Sequence, residues 1–267
     1  MKRLEAVIFD WAGTMVDHGS LAPVRAVTQL FHHHDIRLRD ADVRRDMGIF
    51  KKDHIRRILQ IPEVNIQWSQ NRGRRPGEDD VEKLFAEFLP FQTEILAEYS
   101  QLITGAAEIA ENVRGAGLHV GSTTGYTRPM LDLLVEQAAT HGYRPDLSLC
   151  PDDAGGGRPH PWMCLQIALR FRLTCTAAAV KVGDTVSDIH EGLNAGMWCV
   201  GVTATGNEIG LTAAELAALS QDERTRRSAR AEESLRSAGA HYVIESVQHL
   251  LPVLEEIDRR AASGDRP

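Results

Sequence analysis

The sequence predicts an α/β fold, with a Rossmann-like parallel sheet as its core and an α-helical domain inserted into that core. Short apolar runs alternate with helical patterns over most of the 267 residues. This alternation is typical of a parallel sheet that is covered on both faces. One long stretch, from about residue 21 to residue 100, shows helical patterns only. An acidic motif follows the first apolar run, at the edge where open α/β sheets bind their ligands.

The strands of the core are predicted from apolar runs that are short and bounded by turn residues. They cover residues 6–9, 118–123, 178–182, 199–202 and 242–244. Helical patterns lie between and after them, at residues 106–114, 129–140, 162–171, 188–195 and 247–261. In a parallel sheet with such crossovers, every strand ends at the same edge, so the loops that follow the strands are expected to lie together.

The predicted insertion is a helical cap at residues 19–100, which divides the α/β core into residues 1–18 and 101–267. Its candidate helices cover residues 22–34, 40–59 and 79–99, with a polar loop at residues 69–77. Two linkers, near residues 17–20 and 100–105, would join the cap to the core. Movement about these linkers would admit a substrate and exclude water.

Composition indicates a soluble cytoplasmic protein. Hydrophobic residues make up 43% and charged residues 25% of the chain, and the net charge of -7 argues against a surface for nucleic acid. No apolar run approaches the roughly 18 residues of a membrane span, and the first strand begins too early to leave room for a signal peptide. The cysteines show no Cys-x-x-Cys spacing and are expected to be buried reduced thiols, at Cys150, Cys164, Cys175 and Cys199.

Asp10 opens the motif Asp-Trp-Ala-Gly-Thr at residues 10–14, directly after the first predicted strand. A carboxylate at this edge of the sheet is suited to act as a nucleophile, as a metal ligand, or as both. The small residues that follow leave room for a ligand close to the backbone. The motif resembles Asp-x-Asp-Gly-Thr, the first motif of the haloacid dehalogenase superfamily. Ala12 stands where the phosphatases of that superfamily carry a second aspartate as general acid and base.

Two loops are candidates for binding a phosphoryl group. Thr124 and Gly125, within Gly-Ser-Thr-Thr-Gly-Tyr, combine a hydroxyl and backbone N–H groups ahead of a helix. Taken alone, an ordinary strand-to-helix turn is the simpler explanation of this segment. Arg158 follows three glycines and would neutralise a phosphoryl oxygen, although a solvated loop arginine is the simpler alternative. The glycines match neither a P-loop nor a dinucleotide-binding motif.

Asp184 and Asp188 follow the predicted strand at residues 178–182. Asp184 and Asp10 lie at the ends of strands that are expected to be neighbours, and they would share a Mg²⁺ ion through oxygen ligands. Asp188 would orient the site as an outer partner of the metal ligands. It is also suited to the first turn of a helix, where the helix dipole favours a carboxylate, and the two interpretations are compatible.

Lys51 and His54 are candidate catalytic residues in the cap. They are three positions apart and share one face of a helix, and an amine beside an imidazole indicates Schiff-base chemistry with a carbonyl compound. An unperturbed lysine with a pKa of about 10.4 is only about 0.04% neutral at pH 7. The amine must therefore lose solvent or lie near a positive charge, which the closing cap and Lys52 would supply. A solvated basic patch is the alternative.

Together these motifs resemble the phosphonoacetaldehyde hydrolases, or phosphonatases, a family within the haloacid dehalogenase superfamily. The similarity covers nearly the whole chain, and the cap lysine combined with Ala12 is specific to this family. The aspartate motifs alone indicate only the superfamily. Met15 stands where the family often has threonine. The matching segments are Asp-Trp-Ala-Gly-Thr at 10–14, Met-Gly-x-x-Lys-x-Asp-His at 47–54, Gly-Ser-Thr-Thr-Gly-Tyr at 121–126, Gly-Arg-Pro-x-Pro-Trp-Met at 157–163, Val-Gly-Asp-Thr-x-x-Asp at 182–188 and Glu-Gly-x-Asn-Ala-Gly-Met-Trp at 191–198.

The resemblance implies hydrolysis of the carbon–phosphorus bond of phosphonoacetaldehyde to acetaldehyde and phosphate, in the degradation of 2-aminoethylphosphonate. Asp10 would be the nucleophile and form an aspartyl phosphate. Lys51 would form an imine with the aldehyde, and His54 would assist proton transfers. The resemblance also implies a small-molecule phosphonate substrate, no nucleic-acid or membrane partner, and a homodimer formed through the cap.

The same resemblance assigns the binding residues. Mg²⁺ would be held by Asp10, Asp184 and the backbone carbonyl of Ala12, and Asp188 would support that site. The substrate would lie near Met47, Thr124, Gly125, Tyr126 and Arg158.

The leaving group explains why the lysine is needed and the second aspartate is not. A carbanion is a poor leaving group, whereas a protonated imine accepts its electrons and becomes an enamine. A capped phosphatase or phosphomutase, the nearest alternative, would need an acid where Ala12 stands. A non-catalytic scaffold or small-molecule sensor on this fold is a third hypothesis, but it would need none of Asp10, Lys51, Arg158 and Asp184.

Overall fold

The computed structural model describes residue 1 and residues 3–267, and in this part of the chain the core is a six-stranded parallel sheet. The strand order is β3-β2-β1-β4-β5-β6, so the predicted α/β fold is confirmed. β3 is absent from the prediction because Ser148 separates its two leucines and leaves no continuous apolar run. The strands are β1 (Ala6–Phe9), β2 (His119–Thr123), β3 (Leu147–Leu149), β4 (Ala179–Gly183), β5 (Trp198–Val202) and β6 (Tyr242–Ile244).

The strand order reverses beside β1. Within the sheet, β2 and β3 lie on one side of β1, and the chain then returns to place β4 on the other side of β1. Phe9, the last residue of β1, is level with Ser122 in β2 and with Val182 in β4. At such a switch point the loops after neighbouring strands diverge and leave a crevice. The residues that follow β1, β2 and β4 therefore meet at one edge of the sheet.

The stretch predicted to be the cap forms helices at residues 21–98, between β1 and β2, and these helices are called the cap below. Its first and last helices pack along each other and bury side chains such as Leu30 and Phe88 completely. The helices predicted at residues 22–34 and 79–99 are confirmed to within one residue at each end. The cap helices are α1 (Leu21–His33), α2 (Asp40–Arg44), α3 (Lys51–Gln60), α4 (Pro62–Arg72) and α5 (Glu78–Glu98).

Two predictions within the cap are wrong. The single helix predicted over residues 40–59 is broken between α2 and α3, where Gly48 has a φ of +87°, a conformation that disfavours side chains. A Cβ on Gly48 would also meet Thr185 Oγ1 at 2.5 Å, so the break allows the cap backbone to approach the core. The polar loop predicted at residues 69–77 starts later, because α4 continues into it and ends at Gly73, where φ is +70°.

The helices of the core cover both faces of the sheet. Alternate residues of β1 belong to two different apolar clusters: Val7 lies in one, and Ile8 packs with Met163 and Ile167 in the other. Among the described helices, none combines the length and the apolar character needed to cross a bilayer. The core helices are α6 (Ala106–Gly115), α7 (Arg128–Thr140), α8 (Pro151–Ala154), α9 (Trp162–Phe171), α10 (Val186–Asn194), α11 (Ala213–Ala218), α12 (Gln221–Ser237) and α13 (Leu250–Ala262).

The cysteines are free thiols, as the spacing predicts. Cys150, Cys164 and Cys199 are buried, but Cys175 is exposed. The prediction of burial is therefore wrong for Cys175, which lies outside the helices and strands, just before a short 3-10 turn at Thr176–Ala178.

The two linkers lie side by side at the base of the cap. Val16 forms an antiparallel bridge with Leu102, and the Asp17 N–H donates to the Gln101 carbonyl at 3.1 Å. The Asp17 carboxylate accepts hydrogen bonds from the first two N–H groups of α1, at 3.0 and 2.9 Å. Burial raises the pKa of Asp17 to about 7, although these hydrogen bonds act in the opposite direction. Both ends of the cap are thus anchored at one point of the core.

Candidate active site

The sequence motifs from the cap and the core line one pocket at the carboxyl ends of β1, β2 and β4. Most of the predicted site residues line it; Asp184, Asp188 and His54 are buried outside its lining. The lining residues are Asp10, Ala12, Ser20, Pro23, Met47, Gly48, Lys51, Thr124, Gly125, Tyr126, Arg158 and Thr185.

Three aspartates, of which Asp10 lines the pocket, form a buried acidic cluster. Asp10, Asp184 and Asp188 are buried, and a carboxylate oxygen of each lies within 4.8 Å of the others. Burial, together with repulsion from Asp188, raises the pKa of Asp10 to about 6. Burial and the other two carboxylates raise the pKa of Asp184 well above its ordinary value. Acids so close together in a low dielectric repel one another, and a hard divalent cation would relieve that repulsion.

The turn after Asp10 is shaped to admit Asp184. Gly13 has a φ of +84°, and a Cβ at this position would lie only 2.2 Å from Asp184 Oδ2. The Thr14 hydroxyl donates to Asp184 Oδ1 at 3.3 Å. The Gly-Thr pair of the motif therefore lets the carboxylates of β1 and β4 approach each other, which is the arrangement predicted for a shared metal ion.

Arg158 lies at the centre of a network of buried ion pairs. Its guanidinium contacts Asp10 Oδ1 at 2.7 Å, Asp188 Oδ1 at 3.0 Å and Glu191 Oε2 at 2.8 Å. Burial alone would lower the pKa of Arg158, but these carboxylates outweigh it and raise the pKa further above its ordinary value. Arg158 is only 3% exposed, so the simpler alternative of a solvated loop arginine is wrong.

Sequence reasoning missed two members of this network, Lys181 and Glu191. The Lys181 ammonium is completely buried, 2.7 Å from Asp188 Oδ1 and 3.5 Å from Glu191 Oε2. A Cβ on Gly192 would lie 2.8 Å from the Cβ of Lys181, so this glycine makes room for the lysine. One signal was available in the sequence: Lys181 interrupts an otherwise apolar strand, and a fully buried lysine requires acidic partners.

The charges of the network fit a divalent cation. Arg158 and Lys181 supply two positive charges. The three aspartates and Glu191 supply four negative charges when all are ionised. The net charge of −2 in a buried region matches the charge of Mg²⁺, and carboxylate oxygens are the ligands that Mg²⁺ prefers.

Asp188 also begins a helix, as the alternative interpretation predicted. Thr185 is the N-cap of α10 and accepts the Asp188 N–H at 3.2 Å, while Asp188 Oδ2 accepts the Thr185 N–H at 3.2 Å. This reciprocal pair is a capping box. Asp188 Oδ1 contacts Arg158 and Lys181. One carboxylate therefore caps the helix and also pairs with both buried basic side chains.

Lys51 is the first residue of α3 and extends into the pocket. It is only 2% exposed, and its Nζ lies 3.6 Å from Met47 Sδ and 5.4 Å from the centre of the Tyr126 ring. Burial lowers the pKa of Lys51 to about 8, and the charge of Arg158 acts in the same direction. Lys52 pairs with Glu82 instead, so the prediction that Lys52 supplies the positive charge is wrong.

His54 is completely buried behind Lys51. Its Nε2 lies 2.8 Å from the Val43 carbonyl, so Nε2 carries the proton and donates it to that oxygen. Burial and the charge of Lys51 lower the pKa of His54 to about 3. Nδ1 has no hydrogen-bond partner among the described residues. His54 is thus a neutral imidazole whose free lone pair is on Nδ1.

Thr124 and Gly125 serve the closed cap as well as the pocket. A Cβ on Gly125 would lie 2.5 Å from the Ile49 carbonyl oxygen and 2.7 Å from that of Gly48, so only glycine allows the cap backbone this close. The Thr124 N–H donates to the Leu149 carbonyl at 3.2 Å. This amide is therefore engaged with the sheet edge, which removes one of the N–H groups from the predicted phosphate cradle.

Comparison with known proteins finds a matching family and similar proteins over nearly the whole chain. The model of the haloacid dehalogenase-like hydrolases matches residues 4–196. A phosphonoacetaldehyde hydrolase of Nitratidesulfovibrio vulgaris is 40% identical over 99% of this chain and 94% of its own length. A phosphonoacetaldehyde hydrolase of Bacillus cytotoxicus is 40% identical over 97% of this chain and 98% of its own length. The crystal structure of a phosphonoacetaldehyde hydrolase like protein from Oleispira antarctica superposes with a TM-score of 0.97, at 42% identity over 99% of this chain and 96% of that one.

The fold, the acidic cluster and the family match define a class of protein. The chain belongs to the haloacid dehalogenase-like hydrolase family. Within that family it belongs to the phosphonoacetaldehyde hydrolases, because it is similar to the relatives described above over nearly its full length. The family predicted from the motifs, and the prediction of an enzyme of this kind, are therefore confirmed.

Proposed function

We propose that the protein hydrolyses the carbon–phosphorus bond of phosphonoacetaldehyde, giving acetaldehyde and phosphate. The observation that carries this proposal is the position of Lys51, whose buried amine shares a pocket with Asp10. An imine-forming amine and a carboxylate nucleophile in one pocket suit a substrate with an aldehyde at one end and a phosphonate at the other. The relatives named phosphonoacetaldehyde hydrolase support the same substrate.

Imine formation begins with the neutral amine of Lys51. Its nitrogen attacks the aldehyde carbon, and loss of water with uptake of one proton from solvent gives a protonated imine between Lys51 and the substrate. The lowered pKa of Lys51 makes the neutral amine available near pH 7. The Tyr126 ring, 5.4 Å from Nζ, provides an aromatic face that stabilises the positive charge of the imine.

Cleavage of the carbon–phosphorus bond follows from attack by Asp10. A carboxylate oxygen of Asp10 bonds to phosphorus, and the electrons of the broken bond move through the carbon chain to the imine nitrogen, which gives an enamine and an aspartyl phosphate. Arg158 contacts Asp10 at 2.7 Å and is suited to hold this oxygen and to neutralise the phosphoryl group. The leaving carbon needs no acid beside the phosphorus, so the methyl group of Ala12 suffices.

Two hydrolyses complete the cycle. Water cleaves the aspartyl phosphate and releases phosphate from Asp10. The enamine takes up a proton at carbon, and water then cleaves the resulting imine, which releases acetaldehyde and frees Lys51. His54 would assist the proton transfers at Lys51 as a neutral base, because its pKa of about 3 excludes a stable imidazolium.

Mg²⁺ fits the residues present, because the buried cluster carries excess negative charge on oxygen ligands. Asp10, Asp184 and the Ala12 carbonyl would hold it, and Asp188 would support them through Arg158 and Lys181. Bound there, it would supply positive charge to neutralise the phosphoryl oxygens during attack by Asp10. The proposal includes a role in the degradation of 2-aminoethylphosphonate and a homodimer formed through the cap.

Phosphate release from phosphonoacetaldehyde, with Mg²⁺ present, tests this function. The wild type should release phosphate, and Lys51→Arg should lower kcat/KM by about a thousandfold or more, because guanidinium does not form the imine. Lys52→Arg is the matched control: it changes the neighbouring lysine, which pairs with Glu82, and should retain wild-type turnover. Absence of phosphate release by the wild type, or unchanged turnover in Lys51→Arg, would contradict the proposal.

A further inference from the structure

A contact between the cap and the core lies next to the acidic cluster, at Arg44, the last residue of α2. Its guanidinium donates to the carbonyl oxygens of Gly19 and Asn207, at 3.0 and 3.3 Å, and to the side-chain oxygen of Asn207 at 3.2 Å. It also donates to the Gly210 carbonyl at 3.2 Å. The Asn207 side-chain amide donates back to the Arg44 carbonyl at 3.1 Å. One cap residue thus contacts both the linker and the core loop at residues 203–210.

The same loop holds the predicted metal ligand of β4. The Asn207 backbone N–H donates to Asp184 Oδ2 at 2.8 Å, and a Cβ on Gly206 would lie 2.6 Å from the Cβ of Asp184. The 203–210 loop is therefore pressed against the acidic cluster. Asn207 is 2% exposed, with its side chain on Arg44 and its backbone on Asp184.

The chemistry of these contacts suits a reversible closure. The oxygens that accept from Arg44 are carbonyl and amide oxygens, and among the described residues Arg44 forms no ion pair within 4.0 Å. Neutral acceptors bind a guanidinium less strongly than carboxylates do. The charges of Asp17 and Asp184 act on Arg44 without a direct ion pair, so opening of the cap would break only its hydrogen bonds to neutral acceptors.

We propose that Arg44 is a positioning residue, which latches the cap onto the 203–210 loop and, through Asn207, fixes the carboxylate of Asp184. Closure of the cap then favours binding of a divalent cation, and cation binding favours closure to the same extent, since such coupling is reciprocal. This inference rests on the proposed role of Asp184 as a metal ligand. It adds a residue that touches neither the substrate nor the metal.

The test is a calorimetric titration of the protein with Mg²⁺, without substrate. Arg44→Met keeps most of the length of the side chain but removes its donors, and it should weaken Mg²⁺ binding by about fivefold or more. The control is Arg45→Met, which changes the next residue, an exposed arginine paired with Asp42; its Mg²⁺ affinity should change by less than about twofold. Mg²⁺ should also slow proteolysis of the linkers in the wild type and in Arg45→Met, but not in Arg44→Met.

Asn207→Ala removes the core partner of Arg44 and tests the latch independently, also in the case that Arg44→Met does not fold. It should weaken Mg²⁺ binding as Arg44→Met does, and the double variant should lose no more than either single variant, because the two residues act as a unit. Mg²⁺ affinity within about twofold of the wild type in a cooperatively folded Arg44→Met or Asn207→Ala variant, or additive losses in the double variant, would overturn the latch.

The latch and the proposed function fail in different ways. A wild-type protein that binds Mg²⁺ with the expected dependence on Arg44 but does not cleave phosphonoacetaldehyde would contradict the proposed function and support the latch. A protein that cleaves phosphonoacetaldehyde but whose Mg²⁺ affinity is independent of Arg44 would support the proposed function and contradict the latch.

Discussion

The pKa of Lys51 connects the burial of one residue to the chemistry of the site. At a pKa of about 8, roughly a tenth of the amine is neutral at pH 7, about 200 times the fraction in an unperturbed lysine. Burial is the main cause, with the charge of Arg158 in support. The fold therefore provides a nucleophilic amine at the position where the proposed reaction needs one.

The pH dependence of turnover should reveal this amine. If imine formation limits kcat/KM, the rate should rise about tenfold per pH unit below pH 8 and level off above it, because only the neutral amine attacks the aldehyde. The measurement is kcat/KM for phosphate release from about pH 6 to about pH 9. Lys52→Met should leave the profile unchanged. A profile that is flat across this range would show that the amine of Lys51 is not the titrating group.

Burial of Lys51 should also reduce the stability of the protein. The folded pKa of about 8 is lower than the ordinary lysine value of 10.5, so below pH 8 unfolding allows the amine to bind a proton more tightly. Lys51→Met should therefore be inactive but stabilised by about 3 kcal/mol at pH 7, an advantage that disappears as the pH rises from 8 to 10.5.

Urea unfolding of Lys51→Met at two pH values measures this effect. Lys52→Met is the control and should change the free energy of unfolding by no more than about 0.5 kcal/mol. A Lys51→Met variant that is less stable than the wild type at pH 7 would contradict the account of a destabilised, functional lysine.

Sequence reasoning found the residues whose positions are set by local motifs and missed those set by tertiary contacts. Asp10 and Asp184 follow apolar strands, and the structure brings a carboxylate oxygen of each within 4.8 Å of the other. The burial of Arg158 depends on Asp188 and Glu191, which are distant in sequence. The glycine-rich segment before Arg158 gives no sign of these acidic partners. A solvent-exposed loop arginine was therefore a reasonable alternative, but it is wrong.

At the scale of elements, the break between α2 and α3 brings the cap onto the core. It allows the Gly48 and Ile49 carbonyls to lie against Gly125, a contact that a Cβ would prevent. The helical pattern at residues 40–59 continues through this break. Periodicity shows which face of a helix is apolar, but it does not show where the helix must end to allow contact with a distant loop. Tertiary contact overrides the local pattern here, and the prediction failed for that reason.

Gly125→Ala should therefore impair closure of the cap. The added Cβ would lie 2.5 Å from the Ile49 carbonyl oxygen, and a displacement of about 1 Å at a reacting centre costs about a hundredfold in kcat/KM. Gly115→Ala is the matched control, since a Cβ there meets nothing within 4 Å and alanine favours the end of a helix. It should leave activity unchanged. Wild-type activity in Gly125→Ala would contradict the tight contact.

At the scale of the whole molecule, the site exists only where the cap meets the core. The core supplies Asp10 and Arg158 at the switch point of the sheet, and the cap supplies Lys51 from α3. The alternation of strands and helices predicted the sheet, and the helical stretch predicted the cap, because both are visible as local periodicities. The two linkers predicted that the cap closes on the core, but the residues that meet there could not be predicted, since no pattern along the chain encodes the pairing of distant surfaces.

The central claim is that Lys51 forms an imine with the substrate in the pocket that contains Asp10. Borohydride reduction during turnover of phosphonoacetaldehyde, followed by peptide mapping, tests it most directly. An ethyl or phosphonoethyl group should be found on Lys51, and none should form in Lys51→Arg or without substrate. Absence of a reduced adduct in an active protein, or an adduct on Lys52 in place of Lys51, would contradict the claim.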